Sequence, residues 1–424
     1  MKEDFLHYVW QYKKFAFANL KTVSNQELTI IHSGYYIQQA GPDFFNAQVV
    51  IDNQKWAGNI EIHLKSSDWY VHHHETDMNY DNVILHVVWE HDTEVFRKNN
   101  TAIPVLELKK HVSKEVLQQY KQLFTQKTWI NCESQLTVVD DFTLSNWKER
   151  LFFERLEKKA TEVEKLLQKN TFDWEATLFQ LLAKSFGLNT NGEAFLKMAE
   201  SIPYTVIKKE RFEVENTEAL FFGSTGLLEE QNEDAYYNSL KKRWNYLKHK
   251  HQLKIDYYQS VQFFKHRPDN FPTIRLAQLA QLVLQQHSLF QVLIRVNSIH
   301  EMYQFFDCNV SEYWKSHYVF DRLHAKKNKK ISKNFIDLLI LNCILPIKFA
   351  YGHANGNVMP EELIALASEI PSEKNSVIEK FNHFGLISKN SYHSQSFLQL
   401  KNEYCATNKC LNCAIGQKLI NFTS

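Results

Sequence analysis

The chain has 424 residues, 44% of them hydrophobic, and its 49 Lys and Arg against 48 Asp and Glu give a formal net charge of +1. That length supports two or three domains with a sizeable core, and the near-neutral balance excludes a globally cationic nucleic-acid coat while leaving room for a local basic cleft. Six cysteines without regular spacing do not form a secreted disulfide framework, and the mixed charges of "MKEDFLHYVWQYKKF" do not read as a secretory leader, so the expected location is the cytoplasm with no membrane partner.

In chain order, Phe5, Tyr8, Val9, Tyr12, Phe15, Ala16 and Leu20 fall at helical spacing and predict an amphipathic helix over residues 3–20. The runs "ELTIIHSGYYIQ", "AQVVID", "WAGNIEIHL", "NVILHVVWEH" and "IPVLEL" are short, rich in Val, Ile and Tyr, and separated by Gly, Asn and Asp turn signals; they predict strands. Together these make an α/β module over residues 1–135. From "DDFTLSNWKERLFFERLEKKATEVEKLLQK" onward the period changes, with Leu144, Trp147, Leu151, Phe152, Leu156, Val163 and Leu167 on one helical stripe. Helices continue through "WEATLFQLLAKSFG", "PTIRLAQLAQLVLQQHS" and "NFIDLLILNCILPIKFAYG", giving an α-helical domain over 136–400. Gly187 and Gly352 suit helix ends, Pro272 suits a helix start, and Asp269 or Asn270 its cap. The basic stretches 240–254 and 324–334 read as solvated faces, and Cys308 and Cys343 as packing residues. Residues 401–424 form a cysteine-rich tail expected to pack back on the first module. The predicted fold class is α+β, a mixed sheet with flanking helices followed by a mostly helical region.

The chemistry concentrates in "GPDFFNAQVVIDNQKWAGNIEIHLK". With Asp52-Asn53-Gln54 as a hairpin turn, Asp43 lies near the far end of one strand and Glu61 in the middle of its partner, about 4.8 Å away across the pair. Alternation puts Glu61, His63 and Lys65 on one face at steps of about 6.6 Å, with Ile60, Ile62 and Leu64 on the other. Carboxylate oxygens are the donors that Mg²⁺ or Mn²⁺ takes, and His63 or Lys65 could orient a water or neutralise a developing charge. Beyond them, "SDWYVHHHETDMNYDNVILHVVWEH" carries His72, His74 and Asp77, which could ligate a transition metal, and His86 in mid-strand, which reads more readily as a satisfied core histidine. In the tail, "EYCATNKCLNC" sets Cys405, Cys410 and Cys413 as C-x4-C-x2-C. Three thiolates that close repel unless they are protonated, as reduced structural thiols, or shared by a metal, and for a metal Cys132 in "WINCES" is the candidate fourth ligand, for zinc or an iron-sulfur cluster.

Over residues 1–110 this pattern resembles the PD-(D/E)xK nuclease superfamily, whose core is a helix, a strand, a hairpin, a second helix and a further strand. Pro42-Asp43 is similar to its first motif and Glu61-Ile62-His63 to its second, with His63 where lysine is usual. The resemblance implies a restriction-endonuclease-like module, a divalent cation on Asp43 and Glu61, and DNA or RNA as substrate. Some nucleases of that superfamily also hold an iron-sulfur cluster on a split cysteine set, although with other spacing. Across nearly its full length the chain resembles a bacterial family designated domain of unknown function 2851, on "GPDF", "GNIEIHLKSSDWY", "YDNVILHVVWE", "RPDNFPTIRLAQLA" and "KNEYCATNKCLNC". That likeness implies membership and no activity. Two other readings stand beside the nuclease: a non-catalytic nucleic-acid-binding or scaffold protein of the same fold, and a metallohydrolase built on His72, His74 and Asp77. No P-loop, dinucleotide fingerprint or nucleophile elbow is present, and oligomeric state is not encoded in any of these features.

Overall fold

The apolar stripe at the N-terminus forms helix α1 (Glu3–Gln11), which buries Phe5, Leu6, Tyr8, Val9 and Trp10. In this computed structural model, which describes residues 1–37, 41–125, 128–255, 261–264 and 266–421, α1 ends well short of residue 20. Lys13 takes a left-handed φ of 51°, and Phe15 folds back so that its ring stacks on Trp10 at 5.7 Å. Leu20, the last member of the expected stripe, belongs to strand β1 (Leu20–Lys21). The chain divides into two units, one made of residues 1–147, 380–386 and 400–424, the other of 148–379 and 387–399.

The first unit is built on a seven-stranded sheet. Its further strands are β2 (Glu27–His32), β3 (Tyr35–Tyr36), β4 (Phe44–Ile51), β5 (Gln54–Lys65), β6 (Val83–Glu90) and β7 (Val105–Glu107). The order is β1-β2-β4-β5-β6-β7, with β3 pairing the start of β4. Pairing is antiparallel as far as β5 and parallel from β5 to β6 and from β6 to β7. "ELTIIHSGYYIQ" breaks into two strands because Gly34 sits at φ 88°, where a Cβ would meet Phe44 Cβ at 2.9 Å; Gln38 lies outside the described residues. The β4–β5 turn is Asp52-Asn53 alone, both at positive φ (46° and 64°), the two-residue geometry whose twist matches the flanking strands. Gln54 already pairs with Ile51, so the turn is one residue shorter than expected. The parallel step from β5 to β6 needs a crossover, which carries α2 (Asp68–Val71) and a 3-10 turn, Met78–Tyr80. Trp69 and Tyr80 from this crossover pack with Val83, Val88, Val95, Ile103 and Val105. A third helix, α3 (Lys114–Thr125), was not expected; it buries Tyr120 and Leu123, and Tyr120 meets Phe5 with ring centroids 4.3 Å apart.

The second unit is helical, with a core that takes in Phe179, Phe221, Trp314 and Ile340. Gly187 separates the helices Trp174–Phe186 and Leu188–Ser201, and Pro272 opens Pro272–Gln285. Neither expected cap acts on that helix: Asn270 Oδ1 accepts from Arg275 Nη2 at 2.6 Å, and Asp269 pairs with Lys327 at 3.1 Å. Gly352 lies inside Leu345–Ala354 and does not end it. A Cβ there would press on the Asn357 carbonyl oxygen at 2.9 Å, while Gly356 takes the left-handed φ. Cys308 and Cys343 are buried in this core. The basic run 324–334 is engaged within the fold, since Lys326, Lys327 and Lys330 pair with Glu312, Asp269 and Asp307, and Lys329 is buried and donates to the carbonyls of Trp314 and His317. The segment Lys333–Ala354 is long and apolar enough to cross a membrane, and 67% of its most apolar window is buried inside the protein.

Candidate metal centre

Asp43 and Glu61 meet because of one extra residue in β4. At the turn, Ile51 pairs with Gln54, and that register continued without a break would set Glu61 against Phe44 and Asp43 against Ile62. Between Phe44 and Ala47 the register shifts by one, so that Phe44 pairs with Ile60, and the next position sets Asp43 across from Glu61. A one-residue slip moves a side chain to the other face of a strand, and a bulge makes that slip local. Asn46, at φ 56°, supplies the left-handed residue, and its N–H points at Asn59 Oδ1, 3.4 Å away. The result is reciprocal: the Asp43 N–H donates to Glu61 Oε2 at 3.1 Å, and the Ile62 N–H donates to Asp43 Oδ2 at 3.0 Å.

Histidines surround the pair. His63, two residues along β5, has its Nδ1 2.8 Å from His86 Nε2 and its Nε2 3.1 Å from His72 Nδ1. Parallel pairing sets His86 beside Glu61. After α2, His73 turns the chain with a φ of 60°, and its neighbours His72 and His74 both reach β5. His74 stacks on Tyr80 at 3.7 Å. Glu61 Oε1 lies 3.3 Å from His74 Nε2 and 3.5 Å from His63 Nε2. His63, His72 and His74 each offer a ring nitrogen within 4.8 Å of the other two. His72 is exposed, His63 and His74 are buried, and the Asp43 side chain keeps 21% of its surface open; the group therefore opens to solvent on two sides.

The charges are strained as they stand. Burial and the adjacent Asp43 carboxylate push Glu61 well above the usual carboxylate range, against the N–H bond that lowers it. Burial, followed by repulsion from His86, His74 and His72, holds His63 far below the ordinary histidine value. His86 is held down to about 3, again chiefly by burial, and burial also lowers His74. These histidines are neutral near pH 7, so they can ligate a metal or accept a hydrogen bond but cannot act as fixed cations.

Two residues of α1 join the site without having been expected there. His7 Nε2 lies 3.1 Å from Asp43 Oδ2 and its Nδ1 3.3 Å from the Tyr36 hydroxyl. Burial works against its charge, but the bond to Asp43 and that carboxylate's field raise it. Glu3, one turn earlier, is pushed up to about 7 by burial, with His7 opposing and Asp43 adding. The Glu3-x3-His7 spacing on one helix face was the available signal. Two expected members stand apart. Lys65 is exposed at the end of β5, where its charge acts on Asp92, and Asp77 caps the 3-10 turn by accepting from the Asn79 N–H at 2.9 Å. A cleft of about 240 Å³ runs past His7 and Tyr36, walled also by Lys2, Asn408 and Lys409.

The four cysteines Cys132, Cys405, Cys410 and Cys413 line a second, small cleft in the same unit, and all are free thiols. A model of the family described as "Protein of unknown function (DUF2851)" matches residues 3–376, and the chain belongs to that family. No curated protein and no solved structure matches it.

Proposed function

We propose that this family member is a divalent-metal-dependent phosphodiesterase acting on DNA or RNA, with Asp43 and Glu61 holding the cation. One observation carries the reading: a bulge in β4 brings two carboxylates to one notch, where each is hydrogen-bonded by the other's strand. The order α1, hairpin β4–β5, crossover helix α2 and parallel β6 agrees with the PD-(D/E)xK core, and His63 stands two residues after Glu61, where that core has its third motif residue.

The donor set fits a metal. The imidazoles of His63, His72 and His74 converge, Glu61 lies against two of them, and buried His74 Nε2 makes no hydrogen bond among the described residues, only a 3.3 Å approach to Glu61. Nitrogen donors beside carboxylates favour Mn²⁺ over Mg²⁺. A bound cation would lower the pKa of a coordinated water and offset charge building on the phosphate. The chain's own residues would do the rest. His63, held between His86 and exposed His72, orients the attacking water. His7 holds the Asp43 carboxylate in position. Lys2 and Lys409 offer cationic groups to backbone phosphates along the adjoining cleft.

The test is cleavage of mixed DNA and RNA by purified protein in Mn²⁺ or Mg²⁺, beside Asp43→Ala and Glu61→Ala. The expected result is metal-dependent cleavage lost in both variants; cleavage unchanged in either overturns the reading. Retained binding without cleavage in the wild type identifies the non-catalytic alternative. A second reading, a metallohydrolase on the histidines, gains from the approach of His63 to His72 and His74, with Glu61 taking the place given to Asp77. In that case Asp77→Ala keeps activity, and His72→Ala and His74→Ala abolish it on a non-nucleotide ester.

A further inference from the structure

We propose that Cys132, Cys405, Cys410 and Cys413 together hold one thiophilic metal centre, a zinc ion or an iron-sulfur cluster, that fixes the C-terminal tail onto the sheet-bearing unit. The four come from two stretches of chain more than 270 residues apart, yet all line one cleft whose other walls are largely apolar: Ile130, Leu136, Leu400 and Ile415. Chance burial of thiols does not gather four of a chain's six cysteines around one small space.

The local backbone is shaped around the sulfurs. Cys405 closes a π-turn, Leu400–Cys405, a rare feature that recurs at functional sites. Cys410 opens the 3-10 turn Cys410–Asn412 and Cys413 follows directly. Gly416 is needed there, because a Cβ at that position would overlap the Cys410 carbonyl oxygen. Donors point at the sulfurs: Asn131 Nδ2 lies 3.4 Å from Cys410 Sγ, and the backbone N–H groups of Ile415 and Gly416 reach Cys413. Donors of this kind surround metal-bound thiolates, orienting the ligands and stabilising their charge. Four thiolates are a complete ligand set for structural zinc and for an iron-sulfur cluster alike.

The centre has a structural consequence. Thr407, Asn408, Lys409, Leu411 and Asn412, which lie between Cys405 and Cys413, form a wall of the cleft that runs past His7. Metal at the thiols would therefore set the position of Lys409 without touching the carboxylate site.

The test is elemental analysis and an absorbance scan of the full chain purified without oxygen. The expected result is one zinc per chain, or iron with acid-labile sulfide and visible absorbance, lost in Cys132→Ser and Cys410→Ser but kept in Cys308→Ser and His72→Ala. The last variant separates this metal from any held by the histidines. Because a cysteine variant can misfold, native thiol alkylation read by mass spectrometry serves as the second measurement: the four thiols should resist reagent until a chelator is added. Metal absent both after purification and after reconstitution, metal retained when Cys132 and Cys410 are both replaced, or alkylation indifferent to chelator overturns the proposal.

Discussion

Both units bury ionisable groups, and they treat them in opposite ways. In the helical unit ionisable groups are held by neutral donors and acceptors: half-buried Lys159 donates to the Leu341 carbonyl, Asn342 Oδ1 and Gln395 Oε1, and Glu218 Oε2 accepts from Tyr236 and Trp314, both at 2.8 Å. In the sheet unit ionisable groups crowd on one another: the Asp43 carboxylate acts on Glu61, His63 stands against His86 and His72, and His74 and His7 press on the two acids. Like groups gathered out of water cost stability unless something of the other sign joins them. The helical unit's charges thus serve its fold, whereas the sheet's cluster is the kind of arrangement that the proposed cation would relieve.

Substitutions can break this contrast. The largest effect is expected for Asp43→Ala and Glu61→Ala, each lowering metal-dependent cleavage by about 10³-fold, roughly 4 kcal/mol in the barrier. Thermal unfolding should show metal-free stability changed by no more than about 1 kcal/mol, because relief of the repulsion between the acids offsets the hydrogen bonds each loses. Next is Glu218, raised by burial from 4.5 to about 7 against the hydrogen bonds that lower it. The folded state then keeps a proton that the unfolded state releases, so stability rises as pH falls from 7 toward 4.5 and is lost as pH rises through 7. Unfolding of Glu218→Gln should lack that component, about 3 kcal/mol at most. Lys159→Met, which leaves the Leu341 carbonyl without its donor, should cost about 2 kcal/mol in denaturant melts with cleavage per folded molecule unchanged. The smallest effect is at the bulge. Asn46→Val places a β-branched residue at φ 56° and should cost about 1 kcal/mol while lowering cleavage, and Asn46→Gly should do neither. If Lys159→Met also removes cleavage, or Asp43→Ala unfolds the protein, the division between the two regions fails.

The hairpin was legible because Asp52-Asn53 and the alternation along Ile60 to Leu64 are local signals. The bulge was not: parity along β4 gave no sign that residue 46 would leave the ladder, and only the bulge sets Asp43 across from Glu61. Asp77 was grouped with His72 and His74 through nearness in sequence, whereas the parallel pairing of β5 with β6 brings Glu61 and His63 to those histidines instead. Glu3 and His7 are hidden in the sequence because the apolar stripe of α1 dominates its pattern. Ser113, Val116, Leu117, Tyr120, Leu123 and Phe124 carry the α3 signal in full, next to a strand-rich run that masks it. The four cysteines were grouped from spacing and charge repulsion, which depend little on the intervening fold.

Anomalous diffraction from crystals soaked in Mn²⁺ addresses the metal directly. The account expects a single strong peak within about 2.2 Å of carboxylate oxygens of both Asp43 and Glu61, with at least one imidazole of His63, His72 or His74 turned toward it. Saturating Mn²⁺ with no density between those two carboxylates would contradict it.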